Sequence, residues 1–277
     1  MHLILLLLVI AGNWLLRAGI SPADTPQSRA AQAWRLITFP PLSLSAVAIA
    51  IIWMGNGGTM AGGVSAWLSY GLSWLWLLGA AVLLARATWL SWQHHRQIQH
   101  YPTIQLQAIE ARLVDHPLAF CGQVGFWRSH LLVTQGLLER LNPEQLQAAI
   151  AHEQAHHHYR DHFWFFWLSW LKQLGSFWPN GEFLWQEMLL FRESRADAKA
   201  SQSVDRLVLA EALLLVVAQP YQDYSGWGTP LSLFVGNDRL QRRVNLLLHP
   251  EPLELPTHTK LWAVAALLPL ALIPFHH

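Results

Sequence analysis

The sequence predicts a mainly α-helical membrane protein of about four transmembrane helices, with a small α+β domain between the third and the fourth. Three observations predict it. Of 277 residues, 53% are hydrophobic and only 13% charged, about half the charged share of a soluble protein. The charges are segregated: of 35, residues 1–85 carry four (Arg17, Asp24, Arg29 and Arg35), residues 261–277 carry none, and residues 86–260 hold 31. The 16 tryptophans suit a chain with many rings at a lipid interface. This balance excludes a wholly disordered chain. A net charge of +1 gives no polybasic reason for direct nucleic-acid binding. The single cysteine, Cys121, excludes an internal disulfide framework and a multi-cysteine zinc module.

The apolar stretches come first. Residues 2–16 are short for a span, but they lack a basic n-region, and Asn13-Trp14-Leu15-Leu16-Arg17 is a poor cleavage site. They read as an uncleaved helix rather than a signal peptide. Residues 36–54 are long enough to span, with Pro40 and Pro41 suiting a first turn or a kink. Residues 64–85 are uncharged over 22 positions, about 33 Å as a helix. Residues 261–275 contain Pro269 and Pro274 and read as a short span or an interfacial segment. Three arginines lie in the 17–35 loop and none in 55–63, Arg86 and Arg96 follow the third stretch, and Lys260 precedes the fourth. The positive-inside rule then places both termini outside and the polar middle in the cytoplasm, in a multi-pass protein of the plasma or inner membrane. The expected organisation is a three-helix membrane region over 1–90, a cytoplasmic domain over 91–260 and a C-terminal transmembrane or interfacial helix over 261–277.

Within the polar middle, Ile104-Gln105-Leu106-Gln107, Ala111-Arg112-Leu113-Val114 and Leu131-Leu132-Val133-Thr134 read as short strands. A helix follows, with Asn142 as cap, Pro143 at its first position and Gln145 as capping-box partner. It is expected to run to about Tyr159, and it contains Ala151-His152-Glu153-Gln154-Ala155-His156, an HExxH motif. Four-residue spacing sets His152 and His156 one turn apart on one face, where two imidazoles can bind one zinc ion. Glu153 lies beside them as the candidate general base, taking a proton from a zinc-bound water. At this composition the motif arises by chance about 0.03 times in such a chain. His157, His158 and His162 make the region His-rich, so a solvated helix that binds metal adventitiously is the competing explanation.

The third ligand decides between them. Residues 182–200 contain no Gly or Pro. On a helix there, Glu193 and Asp197 share a face, so Glu193 can complete a zinc site while Asp197 orients a ligand imidazole. A solvated acidic face beside Arg192 and Arg195 fits the spacing equally.

The run Gly136-Leu137-Leu138-Glu139-Arg140-Leu141-Asn142-Pro143-Glu144-Gln145-Leu146, continuing into the HExxH, resembles the approach helix of integral-membrane zinc metallopeptidases. Asp161 fits that group's HExxH-x4-D extension, and Arg192-Glu193-Ser194-Arg195-Ala196-Asp197 resembles its E-x-x-x-D element. Two types share these motifs, the BlaR/MecR antirepressor peptidases and the HtpX or CAAX-prenyl-protease gluzincins. Three spans before the domain and one after it are similar to the BlaR/MecR arrangement. So are Phe177-Trp178-Pro179-Asn180 and Pro117-Leu118-Ala119-Phe120, the latter ahead of an edge strand.

The resemblance implies a zincin-like α+β metallopeptidase domain with one catalytic Zn2+. It implies a protein substrate, with a soluble transcriptional repressor as the first expectation and regulated proteolysis as the role. The HtpX-like alternative is quality control or processing of membrane proteins, and a non-enzymatic metal-binding scaffold is a third. The beta-lactam sensors of the BlaR/MecR type carry a sensor domain after the fourth span, whereas this sequence stops at His277, so beta-lactam sensing of that kind is not the expectation.

Other segments carry less. The aromatic run at 163–171 reads as an interfacial segment or a buried core helix. Residues 131–134 could pair with an extended substrate or simply belong to a sheet. The 239–246 segment resembles a late Arg-Leu helix of the family with a structural role. Tyr159, His158 and Arg195 are candidate oxyanion donors.

Overall fold

The structure, a computed structural model, describes residues 2–55, 64–106, 109–125, 129–217, 237–249, 253 and 258–270. It forms two compact units. One comprises Met1–Ala87, Trp167–Met188 and Glu254–His277, the other Thr88–Phe166 and Leu189–Leu253.

The first unit is helical. α1 (His2–Ala18) packs on α2 (Pro26–Met54) through Leu6, Leu44, Val47 and Ile51, with Trp178 in the same cluster. Polar staples complete this packing: Asn13 donates to Ser43 Oγ at 3.1 Å, Arg17 to the Gly175 carbonyl at 3.2 Å, and Asn180 to the Arg17 carbonyl at 2.7 Å. α2 starts ten residues before the expected span, because Thr25 and Ser28 form a capping box with Pro26 at the first helical position. Pro40 and Pro41 therefore lie inside the helix rather than in its first turn. α3 (Val64–Gln99) continues past the expected end at residue 85, since no Gly or Pro intervenes between Gly79 and Pro102. Trp67, Leu68, Leu75, Leu78 and Val82 on α3 are each more than half exposed.

α2 and α3 are long and apolar enough to cross a membrane, α1 has 17 residues, and α10 (His258–Ala265) has eight. After Ala265 the described chain continues as turn and 3₁₀ helix to residue 270. Residues 271–275 of the expected fourth span lie outside the described residues, as does the Pro/Gly-rich stretch at 220–230 and most of that at 249–256.

The second unit carries a four-stranded sheet: β1 (Thr103–Leu106), β2 (Ile109–Val114), β3 (Cys121–Val124) and β4 (His130–Thr134), in the order β1-β2-β4-β3. β2 and β4 run parallel, with Ala111 beside Leu131, and β3 returns antiparallel with Gln123 beside Leu131. β4 is flanked on both sides, so the expectation that residues 131–134 could pair with a substrate is corrected, and the free edge beside β4 belongs to β3. After β4 comes α4 (Gln135–Arg140), whose Gly136 lies so close to the preceding loop that a Cβ would sit 2.0 Å from the Pro117 carbonyl oxygen.

α5 (Pro143–His158) begins as the sequence predicts, with the Asn142–Gln145 capping box and Pro143 in the first turn. Ile150 joins Ala111, Leu131, Val133 and Leu137 in the core under the sheet, and Ala148 packs on Leu209 and Leu213 of α8 (Arg206–Val217). Tyr159 ends the helix, and Arg160, at φ 53°, turns the chain into α6 (Asp161–Leu174). The aromatic run of α6 has two faces: Phe165, Leu168 and Leu171 are buried while Trp164 is exposed. α7 (Gly181–Ala200) and α9 (Asn237–Leu248) supply the remaining site residues.

Candidate metal centre

α5 sorts its histidines by face. His152, Glu153 and His156 are buried, whereas His157 and His158 are exposed. His157 shares a hydrogen bond with Ser129 Oγ at 2.8 Å, and His158 meets the Tyr159 ring edge-on. Helical periodicity thus separates two imidazoles from the rest of a His-rich segment, which counts against a merely solvated helix.

The two buried rings meet at Nε2, 3.1 Å apart, and each has its Nδ1 against a buried carboxylate. His152 Nδ1 lies 2.8 Å from Asp197 Oδ1, and His156 Nδ1 lies 2.7 Å from Asp161 Oδ2. A carboxylate at Nδ1 fixes the proton there and leaves the Nε2 lone pair free. A proton or a metal ion between the two Nε2 atoms would satisfy both lone pairs.

Glu193 on α7 closes the group, with Oε2 3.4 Å from His152 Nε2 and Oε1 3.7 Å from His156 Nε2. Among the described residues, His152, His156 and Glu193 bring one ligand atom each within 4.8 Å of one another. A tetrahedral zinc with bonds of about 2.0–2.1 Å sets neighbouring ligand atoms about 3.3 Å apart, close to the 3.1 Å between the two Nε2 atoms and the 3.4 Å from His152 Nε2 to Glu193 Oε2. Glu193 Oε2 is buried and makes no hydrogen bond, as a ligand oxygen should be. The donor set, two imidazoles and a carboxylate, suits zinc.

Around this group the charges interlock. Arg192 Nε donates to Glu193 Oε1 at 2.8 Å, and Arg195 pairs with the other oxygen of Asp161 while lying 4.0 Å from the centre of the Tyr159 ring. Arg243 on α9 donates to both oxygens of Asp197 at 2.9 Å, and its Nη1 is 3.4 Å from Glu193 Oε2. Arg243 is buried, on the same face as the buried Leu247. The sequence placed it in a structural helix, and the geometry makes it a partner of the ligand set. A lone arginine on the apolar stripe of α9 was the available signal. Arg195, one of the three oxyanion candidates, is committed to Asp161 instead.

Three carboxylates (Asp161, Glu193, Asp197) thus pair with three guanidinium groups (Arg195, Arg192, Arg243). Burial opposes charge on His152, but the carboxylates of Asp197 and Glu193 beside it outweigh burial and raise its pKa to about 10. Burial likewise opposes charge on His156, and Glu193 and Asp161 raise it. On Glu193, burial is outweighed by Arg192, His156 and Arg243, which hold it well below the usual carboxylate range. Arg243 and His152 lower Asp197 in the same way. Burial and Arg192 push His162 down to about 3, so this ring is neutral at physiological pH.

A proton therefore stands where the cation belongs once metal is stripped. His152 rises from an unfolded value of about 6.5 to about 10. Its contribution to metal-free stability is present below about pH 6.5 and is lost as pH rises through about 10. Zinc must displace that proton, so its apparent affinity should rise about tenfold per pH unit from neutral towards pH 10. Calorimetric titration in buffers of different ionisation enthalpy should read release of about one proton near pH 7.5. Zero proton release would contradict the geometry.

Glu153 points to the sheet. Its Oε2 accepts the backbone N–H of Gln123 at 2.9 Å, from the free edge of β3. Cys121 on the same strand is buried, and its thiol is pushed well up by burial and by the charge of Glu153. The structure thus brings His152, Glu153, His156, Glu193 and Asp197 into one site together with Asp161, to which the resemblance already pointed, and adds Arg192 and Arg243 to it.

Residues 85–226 match the family model described as Peptidase family M48. The matched segment contains all five site residues named from sequence and ends before Arg243. The match is to the family and carries no subgroup. None of the curated proteins or solved structures compared with the chain matches it.

Proposed function

The chain belongs to peptidase family M48, and on that premise we propose that it is a membrane-embedded, zinc-dependent endopeptidase working at the cytoplasmic face. Members of the family are typically zinc-dependent. The observation that carries the reading is the His152–His156–Glu193 group, its ligand atoms within 4.8 Å and its two rings each backed by a carboxylate. His152, His156 and Glu193 hold the metal, with Asp197 and Asp161 steadying the rings. When bound, zinc supplies a Lewis acid that acidifies water and polarises the scissile carbonyl.

The chain's own groups do the rest. Glu153 accepts a proton from the attacking water and delivers it to the leaving amine. The Gln123 N–H seats that carboxylate, and the arginines keep Glu193 and Asp197 ionised. Membrane insertion is supported by α2 and α3, and the cytoplasmic face by the arginines at 17, 29, 35, 86 and 96. The substrate is a protein. A soluble transcriptional repressor is the first assignment, supported by the BlaR/MecR-like segments. Processing or quality control of membrane proteins, the HtpX-like role, is the second, supported by the HExxH and E-x-x-x-D motifs that both types share.

Detergent-purified protein should carry one zinc per chain and hydrolyse a denatured protein substrate. Chelation should abolish hydrolysis and zinc should restore it. Full hydrolysis by a His152→Ala, His156→Ala double variant would sink the assignment.

A further inference from the structure

α3 changes character along its length. Residues 64–85 carry no charge and, at about 33 Å, fill the hydrocarbon core of a bilayer. The helix runs on to Gln99, so its next turns fall at the level of the headgroups. On those turns Ile98 is buried with Val114, Phe120 and Leu132, and the His95 ring stacks on that of His130 with centres 5.6 Å apart. The face turned away from this packing is bare. Trp89 and Trp92 are each at least half exposed, and Arg96 is exposed beside them. Spacings of three and four residues set the three side chains in one stripe.

Charge decides what the stripe can take. From Thr25 to Ile109 the sequence has four arginines (Arg29, Arg35, Arg86 and Arg96) and no Asp or Glu. Among the described residues Arg96 makes no hydrogen bond or ion pair, and its guanidinium carbon lies over the Trp92 ring, 4.1 Å from the centre. The N–H donors of a guanidinium lie in its own plane, so a ring against its face leaves them open to an anion, and phosphate oxygens match that fork. The exposed indoles each offer an apolar body and one N–H, the combination that suits the boundary between acyl chains and headgroups. A soluble anion would satisfy the arginine and leave both indoles in water, whereas a phospholipid meets all three groups. A zwitterionic headgroup brings a cation for which this stretch has no carboxylate; an anionic headgroup does not.

Resting on the membrane reading above, we propose that the Trp89–Trp92–Arg96 stripe binds the headgroup of an anionic phospholipid. Arg96 receives the phosphate and the two indoles seat the glycerol and upper acyl region. The lipid is thereby held on the same turns of α3 whose other side packs on the sheet through Ile98 and His95.

The test uses the full chain in phosphatidylcholine bilayers, with a bimane label on a Gln93→Cys variant, the native Cys121 being buried. Quenching by phosphatidylglycerol and by phosphatidylcholine carrying the same chain bromines reads the relative affinity of the two headgroups beside the stripe. Phosphatidylglycerol should bind about fivefold tighter, the usual worth of one basic side chain near an anionic surface. Arg96→Gln should abolish the difference and Arg96→Lys should keep most of it, with unchanged melting temperatures establishing that each variant is folded. A second label on Leu75→Cys, in the exposed apolar stretch, reads membrane insertion by itself.

Quenching at Gln93→Cys with no headgroup preference, or with a preference that Arg96→Gln leaves intact, would overturn the lipid site. Loss of the preference in millimolar inorganic phosphate at constant ionic strength would overturn it too, by giving the stripe to a free anion. So would quenching at Leu75→Cys alone, which keeps the membrane reading and puts the stripe out of reach of lipid. Quenching at neither position would count against membrane insertion itself and remove the lipid site with it.

Discussion

Glu153→Gln should retain one zinc per chain and lose about 10²–10⁴ in kcat/KM. The substitution keeps the side-chain shape. A Gln oxygen can still accept the Gln123 N–H that holds Glu153 at 2.9 Å, so the α5–β3 contact survives. None of the proposed ligands is altered, and zinc titration should be unchanged. What disappears is the carboxylate that takes and returns a proton, and the other carboxylates of the site are engaged by arginines. Asp161 is bound to Arg195, Asp197 to Arg243, and Glu193 to Arg192. Hydrolysis at wild-type rate by the purified variant would refute Glu153 as the base.

The same variant sorts the biological readings, because an inactive peptidase spares its substrate. In quantitative proteomics, accumulation of one soluble repressor supports regulated proteolysis. Accumulation of membrane proteins supports processing or quality control. A full biological response with no accumulation supports a metal-binding scaffold.

The site was legible wherever chemistry follows local spacing. HExxH fixes two ring nitrogens on one helical turn, so His152 and His156 could be named from helix periodicity, whereas the spacing of Glu193 and Asp197 gave only a shared face and the resemblance to membrane metallopeptidases singled them out. The Asn142–Gln145 cap was legible from local spacing as well, being a contact three residues long. Contacts between distant segments were not. Arg243 reaches Asp197 from 46 residues away, and Gln123 reaches Glu153 from a strand whose pairing partner follows it in sequence. Strand order was hidden too. β4 has the more apolar sequence, but β3 crosses to the far side of it and takes the edge. Helix ends were misjudged where hydropathy and helix propensity part. α2 and α3 extend into polar flanks because a cap starts the one and no breaker stops the other before Pro102. Apolar length marks what can sit in lipid, not where the helix ends.

Arg243→Met should destabilise the metal-free protein by about 3–5 kcal/mol, the usual cost of stripping one partner from a buried ion pair. Arg243 is 3% exposed and holds both oxygens of Asp197 at 2.9 Å. Its loss leaves Asp197 and Glu193 as buried carboxylates with one fewer counter-charge, and His152 as the nearest cation. Removing a positive charge favours a divalent ion even more than a proton, so the expected weakening of zinc binding comes from positioning: Asp197, no longer held at both oxygens, steadies the His152 ring less well. Adding Asp197→Asn separates packing from charge. The Arg243→Met, Asp197→Asn double variant removes both members of the pair and should recover much of the lost stability. It should still bind zinc about 10–100-fold more weakly than wild type, because His152 Nδ1 has lost the carboxylate that orients it. Thermal melts with and without zinc, and competition titration against a chromophoric chelator, read the two effects independently. If Arg243→Met alone leaves melting temperature and zinc affinity unchanged, the guanidinium is not holding the ligand set. If the double variant regains stability and zinc affinity together, Asp197 contributes charge balance alone and does not orient His152.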